Sequence, residues 1–246
     1  MARSEYKGIP ENTTKGTHRK AAEMVRDETI KRILDIPCGH GAFTQRMLDK
    51  GKEMWSLDIE DGAFRPDPER FVKGDMTGIL PFEDGQFDAA VCIDGIEHIE
   101  KPFDFIRECG RILNSNGKLV ISTPNINSIR SRWKWFLTGH HLKNHSPLDE
   151  TNPQPRHHIN MLSFTELRYM LHSNGFKITE LATNRIKPIN WLYVFAVPFT
   201  RIITGLVYRK EEKDTKQRKR NREILKQLYT VPLLFGETLI VKAEKL

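Results

Sequence analysis

Three aspartates, two glycines and a handful of histidines are the residues of this chain whose types and spacing could do chemistry. Asp35 stands in the segment LDIPCGHGAF, at the end of a short apolar run and just before Gly39 and Gly41. Glycines remove Cβ atoms where a loop must pass close to a ligand, and an acid at a strand end can accept hydrogen bonds from a cationic or hydroxylated group. A lone G-x-G describes a plain tight turn equally well. Its companions add weight. Asp58 stands seventeen residues after Gly41, where a carboxylate can take both hydroxyls of a ribose. Asp75 could accept from an exocyclic adenine amine, with Met76 packing on the ring. Each acid alone reads as a helix cap or a solvated turn residue. Together they mark three consecutive strand ends, on the edge where parallel sheets bind ligands.

The second group is Asp94, Glu97 and His98. His98 closely follows a buried apolar run, and imidazole ordinarily titrates near neutral pH, which makes it the leading general base. The competing reading has Glu97 and His98 merely capping or orienting a helix. Two carboxylates and an imidazole could also ligate a divalent metal whose identity stays open, or simply complement a helix dipole. His158, in Pro155-Arg156-His157-His158-Ile159-Asn160, could complete an acceptor pocket as base or metal ligand. Trp133, Trp135 and Phe136 could wall the site, but packing of a loop into the core is the stronger expectation. His140, His141 and His145 lack metal-site spacing and read as loop residues.

The elements that must position these residues follow from periodicity. Arg32 to Ile36, Glu53 to Ile59, Phe71 to Asp75, Phe87 to Asp94 and Lys118 to Thr123 read as five strands. Helical stretches are expected at 43–50 and 102–113, and in a parallel sheet helices cover both faces. Thr17 is expected to cap a first helix. Ser163, Glu166 and Gly175 bracket another with a capping box and a glycine stop. Phe176 to Ala182 and Glu237 to Ala243 complete seven strands. Residues 1–16 read as a flexible arm, 17–188 as the core, 189–235 as an insertion and 236–246 as the last strand.

With 246 residues, 38% of them apolar and 29% charged, the chain has the composition of a soluble globular domain. Three cysteines, Cys38, Cys92 and Cys109, lack paired metal spacing and argue for a reducing, cytoplasmic compartment. The first twenty residues show no apolar signal segment. The net charge of +7 by itself selects no partner. Much of it sits in 209–222, which carries eight basic and three acidic side chains directly after the apolar run 189–207. Asn190, Pro198 and Arg201 interrupt that run, so an interfacial element resting on an anionic membrane surface is physically easier than a span. A lid or dimer helix with a solvated basic face is an equal reading. Nucleic acid is disfavoured, because the basic residues are not interleaved with stacking aromatics.

The chain resembles the class I S-adenosylmethionine-dependent methyltransferases, in the small-molecule branch that includes ubiquinone-biosynthesis O-methyltransferases and polysaccharide-cluster enzymes. LDIPCGHGAF, SLDIE, KGDMTGILPFEDGQFDAAVCIDGIEHIEKP, GKLVISTPN, HHINMLSFTELRYMLHSNGFKI and GETLIVKAEK carry the resemblance. It implies a Rossmann-like doubly wound α/β fold and S-adenosylmethionine as methyl donor. By the same resemblance Asp35, Gly39 and Gly41 hold the methionine part, Asp58 the ribose, Asp75 and Met76 the adenine, and Ile93 the sulfur end. Pro37 departs from the family's usual glycine. The acceptor would be a small molecule, a glycan or a lipid-linked compound, methylated at a hydroxyl oxygen. A nicotinamide-dependent oxidoreductase is the enzymatic alternative, weakened by Thr44 at the third dinucleotide glycine. A catalytically silent binding module is the other.

Overall fold

The computed structural model describes residues 4–143 and 147–246. Seven strands form one sheet: β1 (Arg32–Asp35), β2 (Glu53–Asp58), β3 (Phe71–Lys73), β4 (Phe87–Ile93), β5 (Leu113–Pro124), β6 (Phe176–Thr183) and β7 (Thr238–Lys245). Their order is β3-β2-β1-β4-β5-β7-β6. Neighbours are parallel except at β7, which runs antiparallel to both β5 and β6. Leu34 sits opposite Trp55 on one side and Ala90 on the other.

Successive side chains of a strand point to opposite faces, and here both faces are buried. On one face Ile33, Ala89, Val91 and Val120 pack with Ala21 and Ala22 of α1 (Thr17–Met24) and Phe43 and Met47 of α2 (Ala42–Leu48). On the other, Leu34, Ala90, Cys92 and Ile121 meet Phe105 and Ile106 of α3 (Pro102–Ile112). After β5 comes α4 (Ile129–Thr138), and then α5 (Phe164–Ser173), whose Phe164 and Leu167 join the second face. The capping box at α5 forms as its sequence implies, with the Glu166 carboxylate accepting from the Ser163 amide at 2.7 Å. Gly175 follows the helix at φ 80°.

Before β7 the chain makes a 3-10 turn (Pro188–Ala196), then α6 (Val197–Lys210), α7 (Thr215–Leu228) and α8 (Val231–Phe235). Pro188–Lys210 is long and apolar enough to cross a membrane, with mean hydropathy 1.4 and none of its most apolar stretch buried.

Three local expectations change. Thr17 does not cap α1. Gly16 holds the cap position at φ 91°, a left-handed conformation that glycine adopts without penalty, and the Thr17 hydroxyl bonds the Thr14 carbonyl instead. The third strand stops at Lys73, two residues short of Asp75. Residues 4–16, read as a flexible arm, form a small hairpin of Glu5–Tyr6 with Ile9–Pro10, and Ile9 and Glu11 are buried. Strands of two residues are too short to print a period-two pattern.

Candidate functional site

The chain leaves β1 toward one edge of the sheet and β4 toward the other, so the gap between their carboxyl ends is the topological switch point. A cleft of about 860 Å³ opens there. Its walls include Pro37 from the loop after β1, Asp58 at the end of β2, Asp75 and Met76 beyond β3, and Asp94 and His98 after β4.

Asp58 is fixed by the backbone around it. One carboxylate oxygen accepts from the Gly39 amide at 2.7 Å and the other from the Glu60 amide at 3.1 Å. Asp75 is exposed and accepts from the Thr77 amide at 2.8 Å, while Met76 is buried beside it. Asp35 does not line the cleft. It is 1% exposed, and its carboxylate takes the Thr44 hydroxyl at 2.7 Å. Burial pushes it up to about 7, the Thr44 bonds oppose this, and the Asp58 charge adds to it. Ile93 also lies outside the cleft wall, buried in the α1–α2 face. Of the three aspartates expected to converge, Asp58 and Asp75 therefore share the cavity, with Asp35 tucked away.

The loop glycines divide. Gly39, at φ 51°, has open space where a Cβ would stand. Gly41, at φ 84°, has that space filled by the side chains of Pro66 and Phe64, so the close approach expected of a ligand is made there by the chain itself. Pro37, the departure from the usual glycine, has a matching partner: a Cβ on Gly95 would sit 2.4 Å from Pro37 Cδ. A ring in the first loop is accommodated by the missing side chain in the fourth.

Asp94 has a positive φ of 45°, costly for a residue with a Cβ and commonest at functional sites. Its carboxylate is held by the Ser122 hydroxyl at 2.6 Å and by the hydroxyl of Thr13. Thr13 comes from the N-terminal arm. The arm also pairs Asn12 with His40 at 2.8 Å and Glu11 with Arg46 at 2.7 Å, and so straps the glycine loop. Sequence reasoning missed Asn12 and Thr13, because nothing in their spacing signals contacts 28 and 81 positions along the chain.

Glu97, His98 and His158 come together. Each offers a ligand atom within 4.8 Å of the others, and the two imidazole rings lie 4.7 Å apart, edge to face. His98 Nδ1 is 3.0 Å from the His157 carbonyl. A carbonyl can only accept, so Nδ1 carries the proton and Nε2 of the neutral ring keeps its lone pair. The 153–160 loop is clamped to this turn by the Asn160 amide on the Glu97 carbonyl at 2.9 Å. Glu97 is fully buried, and neither carboxylate oxygen has a hydrogen-bond partner among the described residues. Burial and the neighbouring Asp94 charge hold it well above the usual carboxylate range. The adjacent Thr123 hydroxyl, itself unpartnered, offsets this only in part and completes no hydrogen bond.

The aromatic expectation is corrected. Trp133, Trp135 and Phe136 lie on α4 and are 52%, 54% and 73% exposed, neither core nor cleft wall. A ten-residue helix lying against the surface buries one stripe, and these side chains are on the other. His140 and His141 follow α4, with the His141 ring stacked on Trp135. His145 lies outside the described residues.

Residues 11–181 match the family model described as a methyltransferase domain. A ubiquinone biosynthesis O-methyltransferase of Pseudomonas aeruginosa is 28% identical over 109 residues, 39% of this chain and 46% of that protein. One from Xanthomonas oryzae pv. oryzae is 30% identical over 103 residues, covering 38% and 43%. The match thus spans less than half the length of these curated relatives. Among solved structures, a SAM-dependent methyltransferase from Archaeoglobus fulgidus superposes with a TM-score of 0.57 at 18% identity, over 93% of this chain and 92% of that one. The 1,6-didemethyltoxoflavin-N1-methyltransferase of Burkholderia thailandensis, solved with its substrate and S-adenosylhomocysteine, gives 0.55 at 13% identity, over 94% and 79%.

Proposed function

Since the chain belongs to the methyltransferase-domain family, we propose that it moves the methyl group of S-adenosylmethionine to a hydroxyl oxygen of a small-molecule, glycan or lipid-linked acceptor. Family membership favours this over the nicotinamide and silent-module readings. The observation that carries it is that Asp58, Asp75 with Met76, and His98 share one cavity at the switch point. Asp58 would take the ribose hydroxyls, Asp75 and Met76 the adenine, and the Gly39 loop the methionine part, while Asp35, Gly41 and Ile93, set outside the cavity, would shape it from behind. The donor supplies a methyl group on a cationic sulfur. The protein aligns the acceptor and takes its proton. As the acceptor oxygen forms its bond to carbon and the sulfur–carbon bond breaks, the hydroxyl proton passes to His98 Nε2, with His158 supporting the ring.

One observation favours a metal-assisted variant. The orphaned, buried Glu97 carboxylate beside two imidazoles is a donor set that fits a divalent cation. Glu97, His98 and His158 would hold it, and it would acidify the acceptor hydroxyl. Labelled donor incubated with a cell-envelope extract, with and without chelator, tests both forms. His98→Gln should keep donor affinity and lose turnover. Equal loss of both would end this division of roles.

The acceptor is reached, in this reading, from the cytoplasmic face of a membrane. Trp191, Phe195, Phe199 and Ile203 are all at least half exposed, on a segment whose 3-10 turn packs against α4, and the basic α7 follows. Vesicle flotation of the intact chain against Phe195→Ser/Phe199→Ser checks this. No difference between them would favour the lid or dimer-helix reading.

A further inference from the structure

The turn from α6 into α7 encloses a second cavity, of about 750 Å³, remote in sequence from the cleft. Four arginines line it, Arg201, Arg209, Arg218 and Arg222, against one acid, Glu212. Glu212 is already taken by Arg218 at 2.9 Å, and the Arg201 guanidinium rests over the Tyr229 ring at 5.3 Å. Among the described residues Arg209 and Arg222 make no ion pair. Two uncommitted guanidiniums in one concavity ask for an anion with several oxygens, because their planar forks match phosphate better than a single point charge.

The rest of the lining says which anion. Ile202 and Leu206 border the same cavity and are 63% and 54% exposed, so the arginines open directly onto the bare apolar face of α6. Inorganic phosphate has no use for that surface, whereas the glycerol backbone and upper acyl carbons of a lipid do. We infer that this cavity binds the phosphate headgroup of an anionic lipid and orients the protein on the bilayer, beyond diffuse attraction. The inference deepens the membrane reading above and rests on it.

The test compares binding of the intact chain to phosphatidylcholine vesicles with and without phosphatidic acid. Arg209→Gln/Arg222→Gln should weaken binding to the phosphatidic acid vesicles at least about tenfold. Lys216→Gln/Lys219→Gln, which removes the same charge from α7 outside the cavity, should weaken it by a clearly smaller factor. Arg209→Lys/Arg222→Lys keeps charge and fold and should still lose affinity, because the fork is gone. Calorimetry with soluble dihexanoyl phosphatidic acid should saturate more tightly than with inorganic phosphate.

Equal losses for the arginine and lysine pairs would leave only diffuse charge, overturning the site while the membrane reading stands. Equal affinity for inorganic phosphate and the short-chain lipid, or no saturable heat from either, would also overturn it. Saturable lipid binding without any vesicle binding would keep the headgroup site and remove the membrane reading.

Discussion

Replacing Asp58 with alanine tests the carboxylate proposed to hold the donor's ribose. A carboxylate offers about four acceptor positions. The Gly39 and Glu60 amides occupy one on each oxygen. About two then remain toward the cleft, the number that a ribose with two vicinal hydroxyls requires. A hydrogen bond to a charged group contributes roughly 1.5–3 kcal/mol. Losing two costs about 3–6 kcal/mol, or roughly a hundredfold to ten-thousandfold in affinity. Calorimetric titration with S-adenosylmethionine reads this directly. A ligand cycle sharpens it: an analogue lacking both ribose hydroxyls should bind the intact chain far more weakly than the parent, yet bind Asp58→Ala nearly as well as the parent does. If the analogue loses the same factor in both proteins, the hydroxyls are held elsewhere and the assignment is wrong.

Buried Asp35 predicts a pH dependence. Its folded value, about 7, lies above the ordinary 3.8, so its contribution to stability is present below the unfolded value and lost as pH rises through about 7. Stability in urea unfolding should therefore fall as pH rises from the ordinary carboxylate range to about 7 and then level. Asp35→Asn should flatten that slope, and a flat profile in the intact chain would contradict the burial of its carboxyl there. Gly95→Ala should destabilise the fold by about 1–3 kcal/mol, since the new methyl meets Pro37 Cδ at 2.4 Å without backbone strain. Pro37→Ala added to it should recover part of the loss in urea unfolding, and an unchanged midpoint for the single variant would refute the packing argument. Arg46→Ala should cost up to about 3–5 kcal/mol, because it takes the guanidinium from the 4%-exposed Glu11 carboxylate and leaves it the Ser4 hydroxyl and the His18 ring. Faster proteolysis in the first sixteen residues would accompany that loss, and an unaltered digestion pattern would show that the ion pair does not anchor the arm.

Short-range physics made much of this protein legible from its sequence. A strand's two-residue period, glycine and proline at turns, and Ser163 three positions before Glu166 are all local patterns. They placed the seven strands, Asp35 and Asp58 at their strand ends and the capped α5. Tertiary structure decided what lies within reach of what. It put Asp35 under Thr44 and out of the cleft, filled the space over Gly41 with Pro66, and set Gly95 against Pro37. It also carried the N-terminal arm onto Asp94, paired His98 with His158, and turned the aromatics of α4 to the surface. Most of those contacts join residues far apart along the chain. Their formation depends on how packed layers meet, and spacing along a sequence holds no trace of that.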